Sequence, residues 1–573
     1  MRFVPGLQAA REYRREWLRD DLVAGIVLTA LLVPQGMAYA GLAGLPPIAG
    51  VYATLVPLIA YAVFGPSRIL IIAPDSAIAP LIAAAIIPLA AAGDERMGMA
   101  ALLALMVGGL CLIGGIARLG FVTDLLSKPV RVGYLAGIAI VVLADQAAKV
   151  LGIEIEAEDF LSGLVELVTS LDETVTLTAA IGLGTFVALL AIKWRFPRAP
   201  GALLAVIAGI ALVVVLDLQS VIPVVGEVPP GLPSFTVPPL DAGLIRDLAV
   251  PALAVAFVAF ADTSVLSRSF ASRRGERVDQ DQELFALGAS NLAVGFFQGY
   301  PVSSSSTRTP AAEAAGAKSQ LTGIVAAVLL GIILLFATGL LAPLPEATLA
   351  AIVMIAVVGL IDIPDMRRLF RMNRADFALS MAALLGVAIV GVIPGIGVAI
   401  GLSVGALLWR AWHPYTAVLG RIDGRKGYHD RDRHPEGRQV PGLVLYRFDA
   451  PLFFANADAF RDGVLDAIAQ AEAPVRRVVV AAEPITDVDT TAADMLIELL
   501  DQLDQRDIGL SFAELKGPVK DTVERYDLDT RLAAPPFPST VGEAVHAYLA
   551  EFDVPWEDWE DAEEHEAGQG QAR

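Results

Sequence analysis

Ala73-Pro74-Asp75-Ser76-Ala77-Ile78-Ala79-Pro80 and Tyr300-Pro301-Val302-Ser303-Ser304-Ser305-Ser306-Thr307-Arg308-Thr309-Pro310 are two stretches of one kind. Each opens an apolar segment with a proline pair and small polar residues. Backbone groups that such residues leave unpaired are tolerated in a bilayer only when buried in protein or lining an aqueous cavity. Broken segments at matching places in two halves of a chain mark an inverted-repeat transporter with a midplane site. Pro74 and Pro301 lie 227 residues apart, and the same offset takes Asp20 to Asp247 and Gln35 to Asp262.

Around these stretches the chain is lipid-like. It has 573 residues, 55% of them hydrophobic, and a mean hydropathy of +0.62. Apolar windows of about 20 residues recur, each able to cross a ~30 Å hydrocarbon core. Fourteen spans are predicted, beginning near Asp21, Pro47, Pro74, Met99, Val130, Val175, Gly201, Leu248, Leu284, Val302, Leu321, Ala347, Phe377 and Pro394. The cations test that count. With the N-terminus inside, inner loops hold Arg68; Arg118, Lys128 and Arg131; Lys193, Arg195 and Arg198; Arg268, Arg273, Arg274 and Arg277; Lys318; and Arg367, Arg368, Arg371 and Arg374. Outer loops hold little beyond Arg96 and Arg246. Positive residues favour the cytoplasmic side, so both termini are expected in the cytosol. Arg11, Arg14, Arg15 and Arg19 ahead of Ala38-Tyr39-Ala40 superficially suit a cleaved signal. Pro34 and Gln35 interrupt that stretch, and it is read as a first span.

Composition excludes several chemistries. Cys111 is the single cysteine, and His413, His429, His434, His546 and His565 all lie beyond the last span. Disulfides, thiolate metal sites and a histidine relay within the membrane are therefore ruled out. The net charge of −20 falls largely in the C-terminal part. Its end, Glu557, Asp558, Glu560, Asp561, Glu563, Glu564 and Glu566, reads as an acidic disordered tail. No nucleic-acid surface is present.

A half-helix starting at the midplane exposes N–H groups and the positive end of its dipole, which suits an anion. Ser303 to Thr307 add hydroxyl donors fitting sulfate or bicarbonate. Arg308 would lie about 7.5 Å farther along a helix, complementing the anion or snorkelling to the interface. Asp262, deep in the eighth span within Val258-Ala259-Phe260-Ala261-Asp262-Thr263-Ser264, is costly in lipid and so reads as functional. It would carry a proton, bind a cation with Thr263, or form a fixed pairing across the bundle. Asp75 would cap its half-helix or carry a coupling proton. Gln35 and Tyr39, one turn apart beside Pro34 in a broken first span, can both donate hydrogen bonds to a substrate, although Tyr39 would equally suit plain packing.

From Pro441 the pattern changes to alternating strands and helices. Leu443–Phe448, Pro451–Phe454, Val475–Ala481 and Gly509–Leu515 read as strands. Asp458–Ala469 and a segment after Asp489 ending at Leu503 read as helices, the second capped by Asp489. This is a small α/β domain of about 110 residues, without a phosphate loop or catalytic constellation.

These segments together resemble the sulfate permease (SulP) family, whose members end in a STAS domain. The resemblance rests on Asp21-Leu22-Val23-Ala24-Gly25 through Val33-Pro34-Gln35-Gly36-Met37-Ala38-Tyr39-Ala40. It continues in Gly65-Pro66-Ser67-Arg68 and in Asp281-Gln282-Glu283-Leu284 through Gly288, Asn291, Gly295 and Phe296-Phe297, running into Ser303–Arg308 and Gly316-Ala317-Lys318. It implies a polytopic α-helical membrane protein of 14 spans arranged as a 7+7 inverted repeat, usually a homodimer, plus a cytosolic α/β STAS domain. Carried over, the anion would meet Gln35, Tyr39, Ser76, Ala77, Ser305, Thr307 and Arg308. The family's acid in the eighth span corresponds to Asp262, and cation-coupled bicarbonate members also use Asp there. Two departures touch the site: Ala73-Pro74-Asp75 replaces the usual Gly-Pro-apolar start, and a serine run replaces Thr-Gly-Ser. Asp489-Thr490-Thr491 stands where anti-sigma antagonists carry Asp-Ser-Ser, making Thr490 a candidate phosphosite, with a helix cap as its other role.

The resulting expectation is a non-enzymatic secondary transporter in the cell membrane. It carries inorganic anions, sulfate first with bicarbonate or chloride as alternatives, coupled to H+ or Na+ through Asp262, Thr263 or Asp75 and needing no other cofactor. A C4-dicarboxylate carrier and an anion channel or sensor signalling through the STAS domain are the competing readings. Domain boundaries are expected at 1–20 (cytosolic segment), 21–412 (transport domain), 413–440 (linker), 441–552 (STAS) and 553–573 (tail).

Overall fold

The computed structural model describes residues 4–559, apart from 91–92, 122–126, 156, 158–159, 197–199 and 306. The chain divides into two compact units, Met1–Val404 and Gly405–Arg573.

The first half of the membrane unit holds α1 (Pro5–Arg11), α2 (Leu18–Leu42), α3 (Pro47–Phe64), β1 (Ile72–Ala73), α4 (Ala79–Ile86), α5 (Asp94–Ile116), α6 (Lys128–Leu151), α7 (Phe160–Thr169), α8 (Thr176–Arg195) and α9 (Gly201–Val215). The second half holds α10 (Ala242–Arg274), α11 (Gln280–Phe296), β2 (Ser303–Ser304), α12 (Arg308–Ala314), α13 (Leu321–Phe336), α14 (Glu346–Val358), α15 (Ile363–Met372), α16 (Arg374–Leu385) and α17 (Val392–Trp412). Each of the fourteen predicted segments carries a helix. Among the described residues eight helical stretches are long and apolar enough for a full crossing, one of them, Glu346–Met372, only when α14 and α15 are counted together across the break between them, and the others are shorter. Apolar side chains point outward as well as inward: Val187, Val215 and Phe336 are 62%, 79% and 82% exposed. Lipid is the solvent that makes such a surface stable.

Three short helices, α1, α7 and α15, were not expected. α1 lies within the supposed cytosolic segment 1–20, packed so closely on α3 that a Cβ at Gly6 would meet the Ala62 carbonyl at 2.0 Å. A second correction concerns Pro34. The first span is not broken there, because α2 runs through Pro34 as one helix of 25 residues. A proline removes one N–H from the ladder, and the packing of this largely buried helix outweighs that loss.

Exchanging the two halves exchanges the contacts. α5 packs on α11 as α13 packs on α3, α6 on α16 as α14 on α8, and α12 on α2 as α4 on α10. The like elements α3 and α11, and α6 and α14, pack on each other. That is the signature of an internal two-fold repeat. At its centre β1 and β2 pair antiparallel, Ile72 opposite Ser304 and Ala73 opposite Ser303. The two-fold that exchanges these strands maps Ile72 on Ser303, an offset of 231 residues, so Pro74 corresponds to Ser305 and not to Pro301.

Backbone proximity holds the repeat together. A Cβ at Gly108 would meet Leu292 N at 2.6 Å, and one at Gly288 would meet Leu112 N at 2.6 Å. Only glycine lets α5 and α11 approach so closely, as helices in lipid do when small residues line their contact. Asp21 makes a second tie. It is fully buried and accepts from Lys318 N at 2.7 Å, Ser319 N at 3.1 Å, Ser319 Oγ at 2.7 Å and Thr322 Oγ1 at 3.0 Å. Four donors are what a buried carboxylate needs, and they lock the start of α2 to the start of α13.

The second unit is a five-stranded sheet, order β4-β3-β5-β6-β7. Its strands are β3 (Thr416–Arg421), β4 (Tyr428–Asp430), β5 (Leu443–Phe448), β6 (Arg477–Ala481) and β7 (Gly509–Ala513), with helices α18 (Ala457–Ala469), α19 (Thr490–Asp504), α20 (Gly517–Arg525) and α21 (Val541–Glu551). β5, β6 and β7 run parallel, while β3 and β4 are antiparallel additions. The stretch 413–440 expected as a linker therefore contains two strands of the sheet. Pro451–Phe454 is not a strand. The Asn456 side chain accepts from Phe453 N at 3.0 Å and donates to Pro451 O at 2.9 Å, winding the segment into a turn before α18. Asp489 caps α19, accepting from Ala492 N at 2.8 Å, and Thr490 is exposed beside it. Of the expected tail, Val554 and Trp556 pack against the sheet face that α21 covers, while residues 560–573 lie outside the described residues.

Candidate functional site

The β1–β2 pair brings both broken segments to one place. After β1 the chain turns through Pro74 to Ile78 into α4; after β2 it turns through Ser305 and Thr307 into α12. Asn291 of α11 sets the approach to β2, accepting from Val302 N at 2.9 Å and donating to Val302 O at 3.1 Å. Thr263 of α10 sets its end, accepting from Ser304 N at 3.3 Å while donating to Ala259 O at 2.7 Å.

The serine run does not begin a helix as expected. Ser303 and Ser304 belong to the strand, and Arg308 is the first residue of α12 rather than lying a turn and a half along it. Nor does Arg308 snorkel. It is 0% exposed, donating to the Pro74 carbonyl through Nη1 and to the Ala73 carbonyl through Nη2 at 3.2 Å. The same Nη2 lies 3.5 Å from Asp75 Oδ1. One arginine thus bridges from the second broken segment to the first. A guanidinium can do this because its donors form a planar fork.

Neither half-helix carries a side-chain cap, but side chains engage amides of the turns that lead into them. Asp75 Oδ2 accepts from Ala77 N at 3.0 Å within the turn ahead of α4, but α4 itself begins at Ala79 with no side-chain cap, so the expected cap on the half-helix is not made. Ser305 Oγ accepts from Thr307 N at 3.3 Å and lies 3.0 Å from Thr307 Oγ1. What remains open are side-chain atoms. Gln35 Oε1, Tyr300 OH, Ser304 Oγ and Arg308 Nε are all buried without a hydrogen-bond partner. Buried polar atoms are normally paired, so the last three, which lie on β2 and its two flanks, mark a place built for something else.

Tyr39, 1% exposed, neighbours Asp75, Ser76 and Arg308, and Tyr300 neighbours Arg308, Tyr39 and Asp75. Ser76, Ala77 and Ser305 are buried at the same crossing, whereas Thr307 is exposed and Ser306 lies outside the described residues. Asp262 is half-buried, with Tyr134 and Arg131 of α6 and Asp75 as its charged or polar neighbours. Sequence reasoning included Ser304 in the run of hydroxyl donors but missed Tyr300 and Tyr134. Tyr300 carried a signal, since it directly precedes Pro301. Tyr134 carried none, because only packing brings α6 beside α10. No group of three or more His, Cys, Asp or Glu side chains that could hold a metal ion occurs among the described residues.

The sequence matches the sulfate permease family over residues 18–383 and the STAS domain over residues 434–544. A probable sulfate transporter of Mycobacterium tuberculosis is 41% identical over 548 residues, covering 95% of this chain and 98% of that protein. The chloroplastic sulfate transporter 4.1 of Arabidopsis thaliana is 31% identical over 541 residues, covering 91% and 79%. Among solved structures, the murine Slc26a9 anion transporter in its inward-facing state superposes with a TM-score of 0.88 at 21% identity, covering 96% of this chain and 94% of that one. The transmembrane domain of the cyanobacterial bicarbonate transporter BicA gives 0.58 at 22% identity, covering 69% and 99%. These relatives are transporters, not enzymes.

Proposed function

The chain belongs to the sulfate permease family, a multi-pass membrane transporter with a STAS domain, and from that premise we propose that it is a secondary active transporter of sulfate coupled to a proton or sodium ion through Asp262. The observation that carries this reading is the antiparallel pairing of β1 with β2. It gathers two broken segments, one buried arginine and the unpartnered Tyr300 OH, Ser304 Oγ and Arg308 Nε into one region of the bundle. Sulfate is favoured over other small anions because relatives named for sulfate extend over almost the whole chain.

Charge supplies the argument for coupling. Among the described residues Asp75 faces Arg308 at 3.5 Å, and Asp262 has Asp75 as its acidic and Arg131 as its basic neighbour, so these two acids and two bases offset one another. A divalent anion entering a neutral, poorly hydrated site carries an uncompensated charge, which is costly. A proton or sodium ion taken up at Asp262 lowers that cost, so anion and cation bind together. Reciprocal linkage of this kind is what symport requires. Gln35, Tyr39, Tyr300, Ser76 and Ser305 would orient the sulfate oxygens, and Arg308 would hold the pocket's two halves in register. The basic loops support cytosolic termini in a cell membrane, and a homodimer is the assembly that the sequence resemblance implies.

Purified protein in liposomes, given radiolabelled sulfate under an imposed proton or sodium gradient, tests this. Accumulation that follows one gradient and is competed by unlabelled sulfate better than by bicarbonate, chloride or a C4-dicarboxylate is expected. Absence of sulfate flux under both gradients would sink the proposal.

A further inference from the structure

α15 (Ile363–Met372) is too short to cross the bilayer and buries none of its residues. Its ten residues reach about 15 Å, half of a hydrocarbon core. Caps delimit it on both sides. Asp362 accepts from Asp365 N at 2.9 Å ahead of it, and Asn373 accepts from Ala375 N at 3.0 Å and Asp376 N at 3.3 Å to start α16. It is therefore a separate helix between α14 and α16, not a continuation of either.

Its two faces differ in chemistry. At 100° per residue Ile363, Met366, Leu369 and Phe370 share one side, and Arg367, Arg368 and Arg371 share another. None of its ten residues is buried; Ile363 is 52% exposed and Phe370 is 54% exposed, although Phe370 meets Phe377 edge-on at 5.2 Å. The nearest acid on the helix, Asp365, is already engaged by Lys128 of α6 at 2.6 Å. Among the described residues no carboxylate lies within ion-pair distance of Arg367, Arg368, Arg371 or Arg374; Arg368 reaches only Met372 Sδ, at 3.4 Å.

We propose that α15 lies flat in the membrane interface, with Ile363 and Phe370 among the acyl chains and the four arginines binding anionic phospholipid headgroups. Three arguments converge. Being strung between two membrane helices places α15 at the bilayer boundary. A short helix with separate apolar and basic faces is the form that settles there. Four clustered arginines without acidic partners complement the anionic lipids of the leaflet that faces basic loops. A soluble protein partner would not need the exposed apolar side to sit at bilayer depth.

The test uses the full chain in liposomes, with nitroxide labels at Phe370→Cys or Arg371→Cys. Cys111, the only native cysteine, is buried and stays in place. Collision with oxygen and with a water-soluble nickel chelate is then measured. Label 370 should meet oxygen and escape nickel, and label 371 should do the reverse. In a second arm, lipids retained by the protein from mixed phosphatidylcholine and phosphatidylglycerol membranes are quantified. Phosphatidylglycerol should be enriched, and the enrichment should fall by up to about fivefold for each arginine changed in the series R367Q, R368Q, R371Q and R374Q. Equal nickel access at both labels would overturn the interfacial placement. Enrichment unchanged in the quadruple variant would overturn the headgroup assignment.

Discussion

The guanidinium of Arg308 stands 3.5 Å from the carboxylate of Asp75, both sealed inside the bundle. They come from different halves of the chain, and the arginine also holds the Ala73 and Pro74 carbonyls. Removing one partner of a buried pair leaves an uncompensated charge, costing about 3–5 kcal/mol. Arg308→Ala should therefore lower thermal stability and abolish sulfate uptake. Arg308→Ala with Asp75→Ala should cost less than the sum of the single changes, which a double-mutant cycle measures.

Asp75→Asn has a sign of its own. It keeps an acceptor for Ala77 N while deleting the negative charge that faces an arriving anion. KM for sulfate should fall by about tenfold, corresponding to ~1.4 kcal/mol. A KM that rises would place Asp75 among the groups that carry the coupling cation.

Asp262→Asn removes the group through which coupling is assigned, without changing its size. Sulfate exchange at equal concentrations should persist, while accumulation driven by a proton or sodium gradient should drop to the level without one. Gradient-driven uptake that survives the change would remove Asp262 from the mechanism.

The close approach of α5 and α11 predicts a sharp contrast between neighbours. Gly108→Leu must push against Leu292 N, and overpacking of this kind costs roughly 1–3 kcal/mol. Gly109→Ala, whose Cβ would meet nothing within 4 Å, should be neutral or stabilising by up to about 1 kcal/mol through helix propensity. Thermal unfolding of the two variants in detergent separates them.

In the second unit the Tyr415 hydroxyl donates to Asp430, and that bond, reinforced by the Asp432 and Arg433 amides, holds the carboxyl below its usual range. A depressed carboxyl stabilises the fold above its unfolded pKa of about 3.9, and the stabilisation fades as pH falls through the lower folded value. Tyr415→Phe should therefore lower Tm at neutral pH, and the difference from wild type should shrink on acidification below about pH 4.

Much was determined by the sequence alone, because hydropathy, charge and breaker residues act locally. Lipid as solvent, the fourteen helical segments, the two interrupted stretches and the cap at Asp489 all depend on neighbours within one turn or one span length. Tertiary structure alone decided the pairing of β1 with β2, the offset of 231 residues at the centre of the repeat, the bridging place of Arg308, and the company of Tyr300 and Tyr134. It also decided that Ser303 and Ser304 are strand and that β3 precedes the expected start of the sheet. Each of those is a contact between residues far apart in the chain. Their register is set by packing in three dimensions, as where glycines let α5 and α11 touch, and no local pattern encodes it.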